Sequence, residues 1–281
     1  MKSIYDVAAP AKLNLFLHIT GRRSDGYHLL QSVFMLIDWC DTLHFDLRGD
    51  GRISRSDLGT PLPADDLTVR AARALQTFSS TALGAHISLD KRVPAQAGMG
   101  GGSSDAASTL LALNRLWRLN YDLPTLARLG LQLGADIPFF LAGRSAWVEG
   151  IGEKITPVSL PPARFLVVKP AEGLETRRLF SDAALKRDSR AAIISRFAED
   201  PFGFGRNDLQ GVAERLCPDV TQAIAWLATL GLTGRMTGSG SAVFAPLLQV
   251  PESVKAPEAF QVRVCGNLDV HPLAGWASRD S

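Results

Sequence analysis

The three cysteines, Cys40, Cys217 and Cys265, form no C-x-x-C pair and have no His at zinc-site spacing, so they read as structural thiols of a reducing cytosol. No uninterrupted apolar stretch approaches the ~18 residues of a membrane span, and Met1 to Pro10 has no apolar core of signal-peptide length. A cytoplasmic protein is expected. Charge imbalance is missing as well. With 30 Lys+Arg against 28 Asp+Glu the net charge is +2, which gives no reason to expect a nucleic-acid face. No repeat at solenoid period is visible.

What is present is a 281-residue chain, 46% hydrophobic and 21% charged, with the composition of a soluble globular protein and the length of two domains. Lys12 to Ile19 alternates, with Leu13, Leu15, Leu17 and Ile19 on one face and Lys12, Asn14, Phe16 and His18 on the other. Two further strands are predicted at Val33 to Ile37 and Thr42 to Leu47. A helix over Leu67 to Phe78 and a strand at His86 to Leu89 follow. Helices are expected at Asp105 to Leu119 and at Leu123 to Leu133, the second with Asp122 as N-cap, Pro124 in its first turn and Gly134 as stop. A short helix near Asp136 to Leu141 and a strand at Ser145 to Val148 close the first half. Pro157, Pro161 and Pro162 mark Thr156 to Ala163 as a linker, dividing the chain into 1–158 and 159–281. Beyond it come a strand at Phe165 to Lys169, four helical stretches, a glycine-rich turn before Ala242 to Ala245, and a last strand at Gln261 to Val264. The fold class is α+β with two unlike halves.

The strongest local signal is Gly98-Met99-Gly100-Gly101-Gly102-Ser103-Ser104, running straight into a helix. Glycines at a helix N-terminus expose N–H groups that can wrap an anion, and a side chain at Gly101 should obstruct that approach. A tight turn is the alternative. No Lys follows the last glycine as G-x-x-x-x-G-K-[ST] requires, and the third glycine of the dinucleotide fingerprint is missing, so both familiar phosphate loops are excluded. Lys12 and Asn14 share one strand face, where Lys also serves as an edge guard. Asp136, ahead of Pro138, is an ordinary helix cap as well as a candidate base. His28 beside Tyr27 offers a ring and a polar edge, or a structural His. Thr237-Gly238-Ser239-Gly240-Ser241 is a second glycine cluster, or a tight turn before a buried strand.

Taken together, Pro10-Ala11-Lys12-Leu13-Asn14, the loop from Pro94 through Gly98 to Ser104, and the late Thr237-Gly238-Ser239-Gly240 turn resemble, in order and spacing, the three motifs of the GHMP kinase superfamily. Asp25-Gly26-Tyr27-His28 and Gly134-Ala135-Asp136-Ile137-Pro138 extend the resemblance toward a branch that acts on a cytidine diphosphate-linked alcohol. The resemblance implies a ribosomal-protein-like N-terminal domain and a C-terminal α/β sandwich domain. It implies transfer of the ATP γ-phosphoryl group to a hydroxyl, with Mg2+ accompanying ATP and no protein ligand assigned to the metal. Lys12 and Asp136 would be catalytic, Asp136 orienting or accepting the hydroxyl proton and Lys12 favouring its ionised form. Asp66, Pro94, Gly98, Met99, Gly100, Gly101, Gly102, Ser103 and Ser104 would bind ATP. Asp66 stands where relatives often have Asn, and it can accept from an adenine amino group but not donate. Asn14, Tyr27, His28 and Phe180 would bind the other substrate, with Tyr27 and Phe180 sandwiching the cytosine; Phe180 as plain core is the alternative. The implied partners are small molecules, with no nucleic acid and no membrane, and the chain is expected to be a monomer or homodimer. A mevalonate- or homoserine-type GHMP kinase would lack the cytidine platform, and an RNA-binding module would need a contiguous Lys/Arg face.

Overall fold

A computed structural model of the protein describes residues 1–249 and 255–278. The first half builds a six-stranded sheet from β1 (Ser3–Arg22), β2 (His28–Arg48), β3 (Ile53–Asp57), β4 (Gly84–Asp90), β5 (Ala146–Gly150) and β6 (Lys154–Pro157). The strand order is β3-β4-β2-β5-β6, with β1 pairing β2. One face carries α1 (Leu67–Ser79), α2 (Gly101–Leu116), α3 (Leu123–Leu133) and α4 (Ile137–Ala142). The second half forms a four-stranded antiparallel sheet, ordered β10-β7-β9-β8, from β7 (Arg164–Pro170), β8 (Arg235–Met236), β9 (Val243–Leu247) and β10 (Phe260–Gly266). The remaining helices are α5 (Thr176–Ser181), α6 (Ile194–Glu199), α7 (Gln210–Leu216) and α8 (Pro218–Thr229). Among the described residues no helix is long and apolar enough to cross a membrane.

Burial explains why β2 reads as an almost unbroken apolar run. Phe34 and Leu36 face the helices of the first half, while Val33, Met35 and Ile37 face Phe165, Val167 and Phe244 of the second sheet, so both faces are covered. The alternation of β7 serves two cores in the same way. Phe165 and Val167 meet the first sheet, and Leu166 and Val168 meet Val212, Val220 and Leu227 from α7 and α8.

Four local expectations change. The strands predicted at Val33 to Ile37 and Thr42 to Leu47 are one, because the intervening Asp41 is fully buried and satisfied: its carboxylate accepts from Arg92 N (2.6 Å) and Val93 N (2.7 Å) and pairs with Lys91. β3, which the sequence does not announce, runs parallel to β4 as an edge strand with four polar or charged residues among its five. Phe16 leaves the polar face expected for it and packs with Leu13 and Leu15, because the register of β1 shifts between Asn14 and Leu17. Helix α2 starts at Gly101 rather than Asp105, so the last two glycines of the loop are its first turn. By contrast, α3 keeps its expected limits: the Asp122 carboxylate accepts from Thr125 N at 2.8 Å, and Gly134 ends it.

Strand β6 takes the start of the predicted linker, and the chain crosses between the sheets at 158–163. We propose the domain division there, 1–158 and 159–281. After β10 the chain returns to the first half: Leu268 N donates to Leu36 O, His271 N to Gly143 O, and Leu123 N to Ser278 O. His271 is 3% exposed, accepts from Leu273 N through Nδ1, and has its pKa pushed down to about 4 by burial. Between pH ~6.5 and ~4 the unfolded chain binds this proton and the folded one does not, so stability falls with acidification, by at most about 3 kcal/mol. His271→Asn, whose Oδ1 can still accept from Leu273 N, should flatten the decline of Tm between those pH values. An unchanged slope would place the acid sensitivity elsewhere.

Candidate active site

The site forms where β1 leaves its own ladder. A register shift between Pro10 and Lys12 turns the Lys12 N–H away from β2, and it donates instead to Met99 O at 2.9 Å. Two residues on, Asn14 N donates to Thr237 Oγ1 at 2.8 Å. One strand thereby holds both glycine clusters. The clusters also hold each other: Ser241 N and Ala242 N donate to Gln96 O and Ala97 O, and a Cβ at Gly98 would stand 2.2 Å from Thr237 O. Only glycine permits that approach. Asn207 fixes the second turn from behind, its Nδ2 donating to Met236 O and Gly238 O, both at 2.8 Å.

Gly100, at φ 69°, has no side chain to cap α2, so the first N–H groups of the helix keep the positive end of its dipole free. Gly102 is exposed and Ser103 half-buried at this end. Ser104 lies underneath, fully buried, with Oγ unpartnered among the described residues. The Met99 side chain is core, 1% exposed, and only its carbonyl serves the site. Pro94 is half-buried at the start of the loop. Gly101 corrects the reason given for it. A Cβ there would meet Lys91 Nζ and Val93 Cγ1 at 3.0 Å, so a side chain would wedge the loop from below rather than screen an anion above it. Lys91 is tied to Asp41 and, at 2.7 Å, to Asp105, both buried. Burial pushes the Asp105 carboxyl well above the usual range, and Asp41 adds to the shift. This buried trio sets the floor of the loop.

Asp136 stands ahead of α4, but its side chain makes no capping hydrogen bond. Its Oδ2 lies 3.9 Å from Lys12 Nζ, with Lys12 4% and Asp136 32% exposed, so the carboxylate is open and the cation is not. Lys12 also donates to Asn14 Oδ1 and lies 4.4 Å over the Phe34 ring. Burial lowers its pKa, and Asp136 opposes that shift. Asn14 Nδ2 donates to Ser32 Oγ at 2.9 Å, so Asn14 is held at both ends.

Asp66 is occupied within the protein. It accepts from Val69 N at 3.1 Å as the N-cap of α1 and pairs with Arg55 from β3. At the far end, the ring packed on Phe180 is that of His28, with centroids 5.0 Å apart and planes at 33°. Tyr27 is 61% exposed beside it. His28 has its pKa lowered by partial burial and by the charges of Arg187 and Arg22. Arg187 carries no sequence signal; it lies in a loop far along the chain and donates to His28 Nε2 at 3.0 Å.

Known proteins resemble this chain in sequence and fold. The family models for the GHMP kinases N terminal domain and the GHMP kinases C terminal match residues 66–144 and 185–261. Over its full length the chain is 74% identical to the 4-diphosphocytidyl-2-C-methyl-D-erythritol kinase of Albidiferax ferrireducens, covering 98% of that protein. It is 66% identical to the same-named kinase of Delftia acidovorans, with both chains covered completely. A solved 4-(cytidine 5'-diphospho)-2C-methyl-D-erythritol kinase superposes with a TM-score of 0.77 at 31% identity, over 94% of this chain and 98% of the other. The mevalonate kinase of Methanococcus jannaschii, at 17% identity and a TM-score of 0.65 over 95% and 98%, shares the fold.

Proposed function

The chain belongs to the GHMP kinase family, and from that premise we propose that it phosphorylates 4-diphosphocytidyl-2-C-methyl-D-erythritol at the 2-hydroxyl with ATP, in the non-mevalonate isoprenoid pathway. The observation that carries the chemistry is an open carboxylate, Asp136, beside a buried ammonium, Lys12, at the meeting of two glycine turns. Phosphoryl transfer needs alignment and charge neutralisation more than covalent help. The substrate oxygen attacks the γ-phosphorus, the bond from that phosphorus to the bridging oxygen breaks, and ADP leaves with the electron pair. Asp136 takes the hydroxyl proton. Lys12 orients Asp136 and steadies the charge that develops on the transferred group.

The open end of α2, with Gly98, Gly100, Gly101, Gly102 and Ser103, would cradle the ATP phosphates, supported from below by Met99 and Ser104. Pro94 fixes the entry of the loop. Asp66 would act at the adenine end through the α1 terminus it caps, since its carboxylate already serves Val69 N and Arg55. Among the described residues no group of three or more His, Cys, Asp or Glu gathers to hold an ion. Mg2+ would arrive with ATP, held mainly by phosphate oxygens and water. Asn14 would lie near the reacting alcohol, with the exposed Tyr27 as the stacking surface for the cytosine, Phe180 backing the His28 ring and His28 reading the polar edge of the base.

Purified protein supplied with ATP and the cytidylyl alcohol should release ADP and yield the 2-phosphate, identified by mass and phosphorus NMR. Replacing both Tyr27 and His28 by Ala should raise KM for that alcohol roughly tenfold or more, the loss of a stacking platform, with KM for ATP little changed. Wild-type enzyme that phosphorylates mevalonate or homoserine and ignores the cytidylyl alcohol would refute the assignment.

A further inference from the structure

His28 is fixed by a residue from the other half of the chain. Arg187 donates Nε–H to His28 Nε2 at 3.0 Å, while its terminal nitrogens donate to Phe180 O (3.1 Å), Asp182 O (2.8 Å) and Leu185 O (3.0 Å). These four bonds engage all three guanidinium nitrogens, and no carboxylate pairs with the group among the described residues. The same guanidinium thus holds the imidazole of His28 and the backbone beneath the Phe180 ring that packs on it.

The consequence for His28 follows from counting protons. A guanidinium cannot be deprotonated in a protein, so the Nε2 facing it must be the acceptor. The imidazole stays neutral here, because partial burial and the charges of Arg187 and Arg22 all oppose its protonation. A neutral imidazole that accepts at Nε2 carries its hydrogen on Nδ1. Cytosine has an unprotonated ring nitrogen, N3, on its pairing edge, where uracil has an N–H. A fixed Nδ1–H donor therefore suits cytosine and opposes uracil.

We propose that Arg187 is a specificity-positioning residue: it locks His28 in the Nδ1–H tautomer and against Phe180, and so sets the preference for a cytidylyl over a uridylyl alcohol. This rests on His28 reading the base, as stated above, but the tautomer can be measured without substrate. Nitrogen NMR of the ligand-free protein labelled at histidine should show His28 protonated at Nδ1 and bare at Nε2. In Arg187→Met the two tautomers should mix. KM for the cytidylyl alcohol should rise about tenfold with kcat nearly unchanged, and the cytidylyl preference should fall by a similar factor. Arg187→Lys, which can still donate to Nε2 but not hold three carbonyls, should recover part of both. If Arg187→Met does not fold, the wild-type spectrum and the Lys variant decide. A wild-type His28 protonated at Nε2 overturns the proposal. So does a folded Arg187→Met, or failing that Arg187→Lys, with unaltered tautomer and selectivity while His28→Ala loses its preference. Wild-type enzyme that uses both alcohols equally would instead remove the reading of His28 on which the proposal stands.

Discussion

Asp136→Asn should fold and bind ATP like the wild type and lose kcat by roughly 10² to 10⁴, the worth of a positioned base. The fold should be indifferent because Asp136, although it precedes α4, caps nothing: its backbone is at φ −84° and ψ −14°, and its side chain makes no capping bond. Asn keeps the volume and can still face Lys12, but it cannot take a proton at neutral pH. A base that serves only the transition state makes kcat and kcat/KM fall together when it is removed, with KM for both substrates nearly constant. Steady-state kinetics, a melting curve and ATP calorimetry on one preparation separate the outcomes. Turnover within a few-fold of wild type would remove Asp136 as the base, and a large loss of Tm would return it to a structural role.

The sequence leaves base and cap equally open at Asp136, because both put Asp before an x-Pro step; the structure shows no capping bond there and an ammonium, Lys12, 3.9 Å away across the chain. The limits of α3 are legible because Asp122, Pro124 and Gly134 act within their own turn, and such chemistry is visible in a short window. The union of the two predicted strands into β2 is not, since Asp41 is tolerated there only through Lys91, Arg92 and Val93, about fifty residues on. β3 hides the same way, and missing it also hides Arg55, the partner that occupies Asp66. At the site, alternation correctly puts Lys12 and Asn14 on one face. It says nothing of the register shift that sends their N–H groups to Met99 and Thr237, which draws the two glycine turns together. Arg187 was illegible for the reason that makes it informative: its contact with His28 spans a sequence separation of 159 and belongs to no motif.

Lys12→Met should divide stability from activity. An ammonium at 4% exposure has given up most of its water, and it recovers a hydrogen bond to Asn14 Oδ1, the face of Phe34 at 4.4 Å, and a carboxylate 3.9 Å away. Burial is the larger influence and lowers its pKa despite Asp136. Such a buried charge weakens the folded state. Met fills the same space without the charge, and Asn14 Oδ1 keeps the Thr237 hydroxyl at 3.5 Å, so Tm should hold or rise. The pH dependence has a definite sign. Between the depressed pKa and the ordinary lysine value of 10.5 the unfolded chain binds the lysine proton and the folded chain does not, so this group makes wild-type stability rise with pH across that interval. The Met variant should lack the rise. Its kcat should nevertheless fall by about 10² or more, the usual cost of removing a charge aimed at the transferring group. Melting curves across pH and kinetics on the same variant test both halves: loss of stability together with activity would make Lys12 structural, and retained activity would remove it from the mechanism.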